Sequence, residues 1–163
     1  MMEGKGGLMN IPKYWFLILV LLVMGCAGKQ PATSIYDEKA DARHDIAAAI
    51  ANAGESQRNI VLIFGANWCP DCRALDAHMH QAELASIIAK NYVIVQVDVG
   101  REDKNLDLAE QYHVPIKHGI PALAVLDLRG NLLYAMDQGQ FADARHMSYE
   151  SIKTFFVQWK GRY

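Results

Sequence analysis

Apolar positions along this chain follow two alternating rhythms, one helical and one extended. In the Ala-rich stretch Asp41 to Ala53, Ile46 and Ile50 lie four apart, which predicts a helix ended by Gly54. Asn59 to Phe64 carries the unbroken apolar run Ile60-Val61-Leu62-Ile63-Phe64, the pattern of a strand covered on both faces. From Cys69 to His80 the period is helical, with Leu75 and Met79 on one face. After a break it resumes through Leu84, Ile87 and Ile88 to Lys90. Tyr92 to Val99 alternates through Val93, Val95, Val97 and Val99 and reads as a second strand. Leu106 to Tyr112 predicts a short helix. Two further strands, Ala122 to Leu126 and Leu132 to Met136, flank the turn residues Asp127-Leu128-Arg129-Gly130-Asn131 as in a hairpin. Finally Ile152, Phe155, Phe156 and Trp159 stand at i, i+3, i+4 and i+7 of a helix from Ser148 to Trp159, with Ser148 as N-cap. This order predicts an α/β domain. Two strands are joined by a right-handed crossover, and an antiparallel hairpin completes the sheet.

The front of the chain is patterned differently. Lys5 and Lys13 precede an uninterrupted apolar stretch of eleven residues, Tyr14 to Met24. That is short for a membrane span and right for the apolar region of an export signal. Met9 is a second possible start, leaving a compact signal with Lys13 before the apolar run. The stretch closes on Val23-Met24-Gly25-Cys26, which resembles the lipobox of bacterial lipoproteins. Gly25 and Cys26 match it, while Met24 is bulkier than the small residue usual there. The resemblance implies cleavage before Cys26 and lipid on Cys26. The alternative is an uncleaved anchor; both export the domain and hold it at a membrane. Residues 1–25 are then signal peptide, 26–37 a lipidated tether with Gly28, Pro31, Thr33 and Ser34, and 38–163 the folded domain. Ala27 stands where an Asp resembles the inner-membrane retention signal of enterobacterial lipoproteins, so a periplasmic face at the outer membrane is favoured.

Composition narrows the chemistry. The net charge is −2, which disfavours nucleic acid as a partner. The pentapeptide Ala-Asp-Ala-Arg-His occurs at 40–44 and again at 142–146, with different flanks, and reads as coincidence. Of the three cysteines, lipidation of Cys26 leaves Cys69 and Cys72 as a pair. They stand two residues apart in Trp68-Cys69-Pro70-Asp71-Cys72, between a predicted strand and a predicted helix. A thiol at a helix N-terminus faces unpaired backbone N–H groups and the positive end of the dipole, which lowers its pKa. The second thiol can then resolve a mixed disulfide.

The element order and two motifs, Ala66-Asn67-Trp68-Cys69-Pro70-Asp71-Cys72 and Gly119-Ile120-Pro121, resemble the thioredoxin family over residues 38–163. The resemblance implies a thioredoxin fold, a central mixed four-stranded sheet flanked by helices, and a cis bond before Pro121 in a loop against the cysteines. Ala-Asn-Trp-Cys followed by Arg73-Ala74-Leu75-Asp76 is also similar to the C-terminal domain of transmembrane thiol:disulfide interchange reductases. The implied activity is thiol:disulfide oxidoreduction, in the reducing direction because Ile120 precedes Pro121, with no cofactor beyond the redox-active Cys69–Cys72 disulfide. Cys69 is the expected nucleophile and the more exposed sulfur, and Cys72 the resolving thiol. Trp68, Pro70, Asp71, Ile120 and Pro121 are expected to support the site. Trp68 is to shield it, and the Ile120 backbone to pair with substrate. The expected partners are disulfide-containing exported proteins and a transmembrane electron donor.

Two departures from the family pattern stand out. Ile63 occupies the position where many thioredoxins carry a buried Asp that moves the proton of the resolving thiol. The approach Tyr112 to Gly119 is longer than usual, so Lys117 and His118 are placed to overhang the site or to stay as plain loop residues. Asp71 disfavours a neighbouring thiolate, while the helix end favours its own charge; it is expected as a solvated first-turn acid. The alternative function is a copper- or zinc-binding chaperone module using Cys69, Cys72 and His118. His44, His78, His80, His113 and His146 lack ligand spacing.

Overall fold

Every residue of strand β1 (Asn59–Gly65) is buried in the computed structural model, which describes Met1 and residues 34–162. The unbroken apolar run therefore means what it predicts, a strand with both faces covered. On one edge β1 pairs in parallel with β2 (Tyr92–Asp98), from Asn59 opposite Tyr92 to Gly65 opposite Asp98. On the other it pairs antiparallel with β3 (Ala122–Leu126), Phe64 opposite Ala122. Strand β4 (Leu132–Ala135) pairs antiparallel with β3, and the sheet order is β2-β1-β3-β4. This is the expected thioredoxin fold, a mixed four-stranded sheet flanked by helices. The register brings the last residues of β1 and β2 and the first residue of β3 to one end of the sheet.

Because side chains alternate along a strand, β1 feeds two cores. Ile60, Leu62 and Phe64 pack with Val95 and Val97 against helix α1 (Ala42–Ser56) and helix α4 (Leu106–Gln111). Val61 and Ile63 pack with Leu123 and Val125 against helices α2 (Pro70–Met79), α3 (Ala82–Asn91) and α5 (Tyr149–Trp159). Each large apolar side chain buried in this way contributes about 1.5–3 kcal/mol. The stripe of α5 is anchored from the sheet: the Tyr92 hydroxyl donates to the Phe156 carbonyl at 2.5 Å, and the two rings meet edge to face. Ser148 caps α5 as expected, accepting from the Ser151 N–H at 3.1 Å.

Helix α1 does not stop at Gly54. It continues to Ser56 and ends where Gln57 turns left-handed, at φ 54°, while the Arg58 N–H returns to the Ala53 carbonyl at 3.2 Å. The folded unit also begins earlier than residue 38. Tyr36, placed by sequence in the tether, is 1% exposed and belongs to the first core. Residues 2–33, which include nearly all of the signal stretch, Cys26 and most of the tether, lie outside the described residues. No helix among the described residues is long and apolar enough to cross a membrane. The two pentapeptide copies serve unrelated structures: Asp41 of the first caps α1, and the second lies in turns between β4 and α5.

Candidate active site

Helix α2 starts directly beyond the C-terminal end of β1, and its first turn holds both cysteines. Cys69 is the N-cap, with extended backbone, and its Sγ accepts the Cys72 N–H at 3.0 Å. Pro70 takes the first helical position, where a missing N–H costs nothing. Cys69 and Cys72 are joined as a disulfide, their Cα atoms 5.2 Å apart. The Cys69 sulfur thus stands at the start of the helix, where free backbone N–H groups generally favour a thiolate. Cys69 is not the more exposed of the two; both are 2% exposed, because neighbouring loops cover the helix start.

One of those loops runs into β3. The Ile120–Pro121 bond is cis, and the Ile120 carbonyl oxygen lies 3.4 Å from the Cys69 Sγ across 51 residues of chain. Trp68 covers another side. Its Nε1 donates to the Gly100 carbonyl at 2.6 Å, and the Arg101 guanidinium lies over the ring, 5.4 Å from its centroid. The indole remains 43% exposed, so it forms a wall at the site's edge rather than a lid.

Asp71 is not a solvated acid. It is 7% exposed, and one carboxylate oxygen accepts the Arg145 N–H at 3.0 Å and the Arg145 Nε at 3.1 Å. Burial pushes its pKa up, but the two hydrogen bonds and the charges of Arg145 and His146 outweigh that and hold it below the ordinary carboxylate value. Arg145 lies in the turns after β4, which Phe141 and Ala144 pin into the second core. Sequence reasoning missed it because nothing local links a turn residue to an acid so far away in the chain.

Asn67, inside the motif but unassigned by sequence, fastens the start of the domain to the site. Its Oδ1 accepts the N–H groups of Ile35 and Tyr36, both at 3.0 Å, and its Nδ2 donates to the Tyr36 carbonyl at 2.8 Å. Asp98, at the end of β2, is also buried, and meets Lys104 Nζ at 3.1 Å and the Gly100 N–H at 3.2 Å. Asp98, Lys104, Glu38 and Trp68 line a cavity of about 480 Å³. Ile63 is in the second core with Leu75, away from these polar groups.

His118 does not join the two thiols in a ligand set. It lies on a single 3₁₀ turn, Ile116–His118, and its Nδ1 pairs with the Asp137 carbonyl at 2.7 Å. Among the described residues, no three His, Cys, Asp or Glu side chains are grouped to hold a metal ion. Lys117 lines a separate groove of about 740 Å³ with Val114, Pro115, Ile116 and Leu106.

A family model described as thioredoxin-like matches residues 41–127, more than half of the chain. The chain belongs to the thioredoxin-like family. This thioredoxin-like protein is 40% identical to the disulphide isomerase of Xylella fastidiosa Temecula1, with 78% of this chain and 98% of that one covered and a TM-score of 0.76. It is 20% identical to the oxidised C-terminal domain of DsbD from Neisseria meningitidis, over 73% of this chain and 96% of that one, with a TM-score of 0.49. Comparison with curated protein sequences gives no match. The thioredoxin-like domain presents a Cys69–Cys72 disulfide, and the protein is a thiol:disulfide oxidoreductase.

Proposed function

We propose that this oxidoreductase is exported, tethered to a bacterial membrane through lipid on Cys26, and reduces disulfides of extracytoplasmic proteins. One observation carries the reading: the Cys69–Cys72 pair at the start of α2 lies directly under the Ile120–Pro121 loop, with the Ile120 carbonyl 3.4 Å from Cys69 Sγ. That arrangement suits an extended substrate segment laid beside the sulfurs, its backbone pairing with Ile120. Sequence similarity to a disulphide isomerase over nearly all of that protein's length supports protein disulfides as the substrate class.

Cys69 thiolate attacks one sulfur of a substrate disulfide, and the other leaves with the electron pair and takes up a proton. Cys72, deprotonated, then attacks Cys69 Sγ. The Cys69–Cys72 bond forms, the bond to substrate breaks, and the second substrate sulfur leaves as a thiolate. Two electrons have passed to the substrate, so each turnover needs two from a donor. A membrane reductase is the partner that suits an oxidising compartment.

Insulin-disulfide reduction with dithiothreitol tests the chemistry: the intact protein accelerates precipitation and Cys69→Ser does not. The reduction potential of the pair decides direction, a value near that of thioredoxin meaning reductant and one near the strong periplasmic oxidants meaning oxidase. Cys72→Ser leaves Cys69 free to attack but unable to be released, and captures substrates as mixed disulfides. Cys26→Ser releases the chain from membranes, and retention of that variant at membranes overturns the lipid anchor.

A further inference from the structure

With Ile63 buried among apolar side chains, no acid from β1 reaches the resolving thiol. The structure places another group there. Gly65 ends β1, and the space a Cβ would fill is taken by the Tyr36 hydroxyl and by Cys72 Sγ, the sulfur 2.8 Å from that point. Hydroxyl and sulfur therefore flank the one position of β1 that has no side chain and lie no more than 5.0 Å apart, near enough for a hydrogen bond to form once the disulfide opens. The Tyr36 ring is fully buried in the first core, and Asn67 fixes its backbone through the N–H and the carbonyl. We propose that the Tyr36 hydroxyl donates a hydrogen bond to the Cys72 sulfur as that thiol becomes a thiolate, and so speeds the resolving step. The proposal rests on the roles of Cys69 and Cys72 given above.

A phenol can fill this role only if it keeps its proton. Burial, then the charges of Asp76 on α2 and Asp98 at the end of β2, raise the Tyr36 pKa far above the ordinary tyrosine value. The Asp98 charge is itself shared with Lys104. Tyr36 thus remains a donor throughout the range in which an ordinary thiol titrates. The proton balance needs no further reagent: Cys72 gives its proton to water, and the substrate sulfur that leaves takes one up. Hydrogen bonding to the charged form of a thiol lowers its pKa, so more Cys72 is thiolate at neutral pH.

The test is single-turnover oxidation of the reduced protein by dithiobis(nitrobenzoate), followed by absorbance across a pH series. One nitrothiobenzoate leaves when Cys69 attacks, and the second when Cys72 resolves the adduct. In Tyr36→Phe, which keeps the ring, the first phase is unchanged. The second is slower by about tenfold near neutral pH, and its pH midpoint is higher by about one unit, the size of a lost hydrogen bond to a charged group. A second phase unchanged in rate and midpoint overturns the proposal. So does an equal change in both phases with a lowered unfolding midpoint, which means packing alone. Fluorotyrosine incorporated in the unsubstituted chain gives an independent arm: a stronger donor accelerates the second phase, and no acceleration counts against the idea. A missing first phase in the unsubstituted protein instead overturns the role of Cys69.

Discussion

Asp71 and Arg145 stand 74 residues apart in the chain, yet one carboxylate oxygen of Asp71 takes both the backbone N–H and the Nε of Arg145, at 3.0 and 3.1 Å. The acid between the two cysteines is thereby given a countercharge and a fixed position. Its negative charge would otherwise act on the neighbouring sulfur in full. The pair is therefore expected to set how strongly the site favours a thiolate, and through that the redox balance.

Neutralising the acid and removing the cation shift that balance in opposite directions. In Asp71→Asn the charge disfavouring a thiolate is gone, the Cys69 pKa falls, and the reduced form gains. The reduction potential rises on the order of 10–30 mV. In Arg145→Met the Asp71 charge is uncompensated, the Cys69 pKa rises, and the potential falls by a similar amount. Equilibration with glutathione measures both, and equal potentials for the two variants contradict the account.

Acid and base limbs of stability follow from different groups. Asp71 and Asp127 both have lowered pKa values: in each, hydrogen bonds and a nearby arginine outweigh burial. The unfolded chain then binds their protons first, so the stability they contribute is present above about pH 4 and lost as pH falls through their folded values. Tyr36 and Tyr92 have raised values because burial disfavours the phenolate. Their contribution is present below about pH 10 and is lost above it. Urea midpoints should be flat near neutrality and fall at both ends. Asp71→Asn with Asp127→Asn should flatten the acid limb alone, and Tyr92→Phe should soften the alkaline one.

Asn67→Ala removes three hydrogen bonds that hold Ile35 and Tyr36 to the site. The loss is expected to be about 2–3 kcal/mol, from typical values per bond. Hydrogen exchange reads it locally: the amides of Ile35 and Tyr36 lose protection, while those of β1 change only with the global stability. Retained protection at those two amides would show that core packing of Tyr36 alone fixes the segment.

Trp68 binds the loop after β2 through Gly100 and carries Arg101 on its face. In Trp68→Ala the wall beside Cys69 is lost. Reaction with a small aryl disulfide is expected to change little, whereas reduction of insulin slows by about tenfold, because only a peptide substrate spans that surface. Equal slowing of both reactions points to a change in the thiols themselves.

Much of this domain was legible in sequence because the signals are local. The helical stripe of Ile152, Phe155, Phe156 and Trp159 with Ser148 before it, the unbroken run of β1, and the hairpin around Gly130 each contain their own evidence within a dozen residues. Cys69–Cys72 and Ile120–Pro121 were legible as motifs, and the fold brings them to 3.4 Å. Gly54 misled because a glycine permits a helix end without requiring one; the left-handed residue is Gln57. Tyr36 misled because a short polar stretch with Pro31 and Ser34 reads as tether whether or not one aromatic ring in it finds a cavity.

By itself the sequence determined where most strands and helices run and which two thiols stand at redox spacing, since periodicity, caps and turn residues act over a few positions; the loop that faces them was expected only from the family resemblance. Only the tertiary structure decided the surroundings of those thiols: Arg145 on Asp71, Asn67 on Tyr36, Trp68 on Gly100, and the Tyr36 hydroxyl beside Cys72 at Gly65. Each of these contacts joins residues more than thirty positions apart, through loops whose course depends on how both cores pack, and that dependence leaves no periodic trace in the chain.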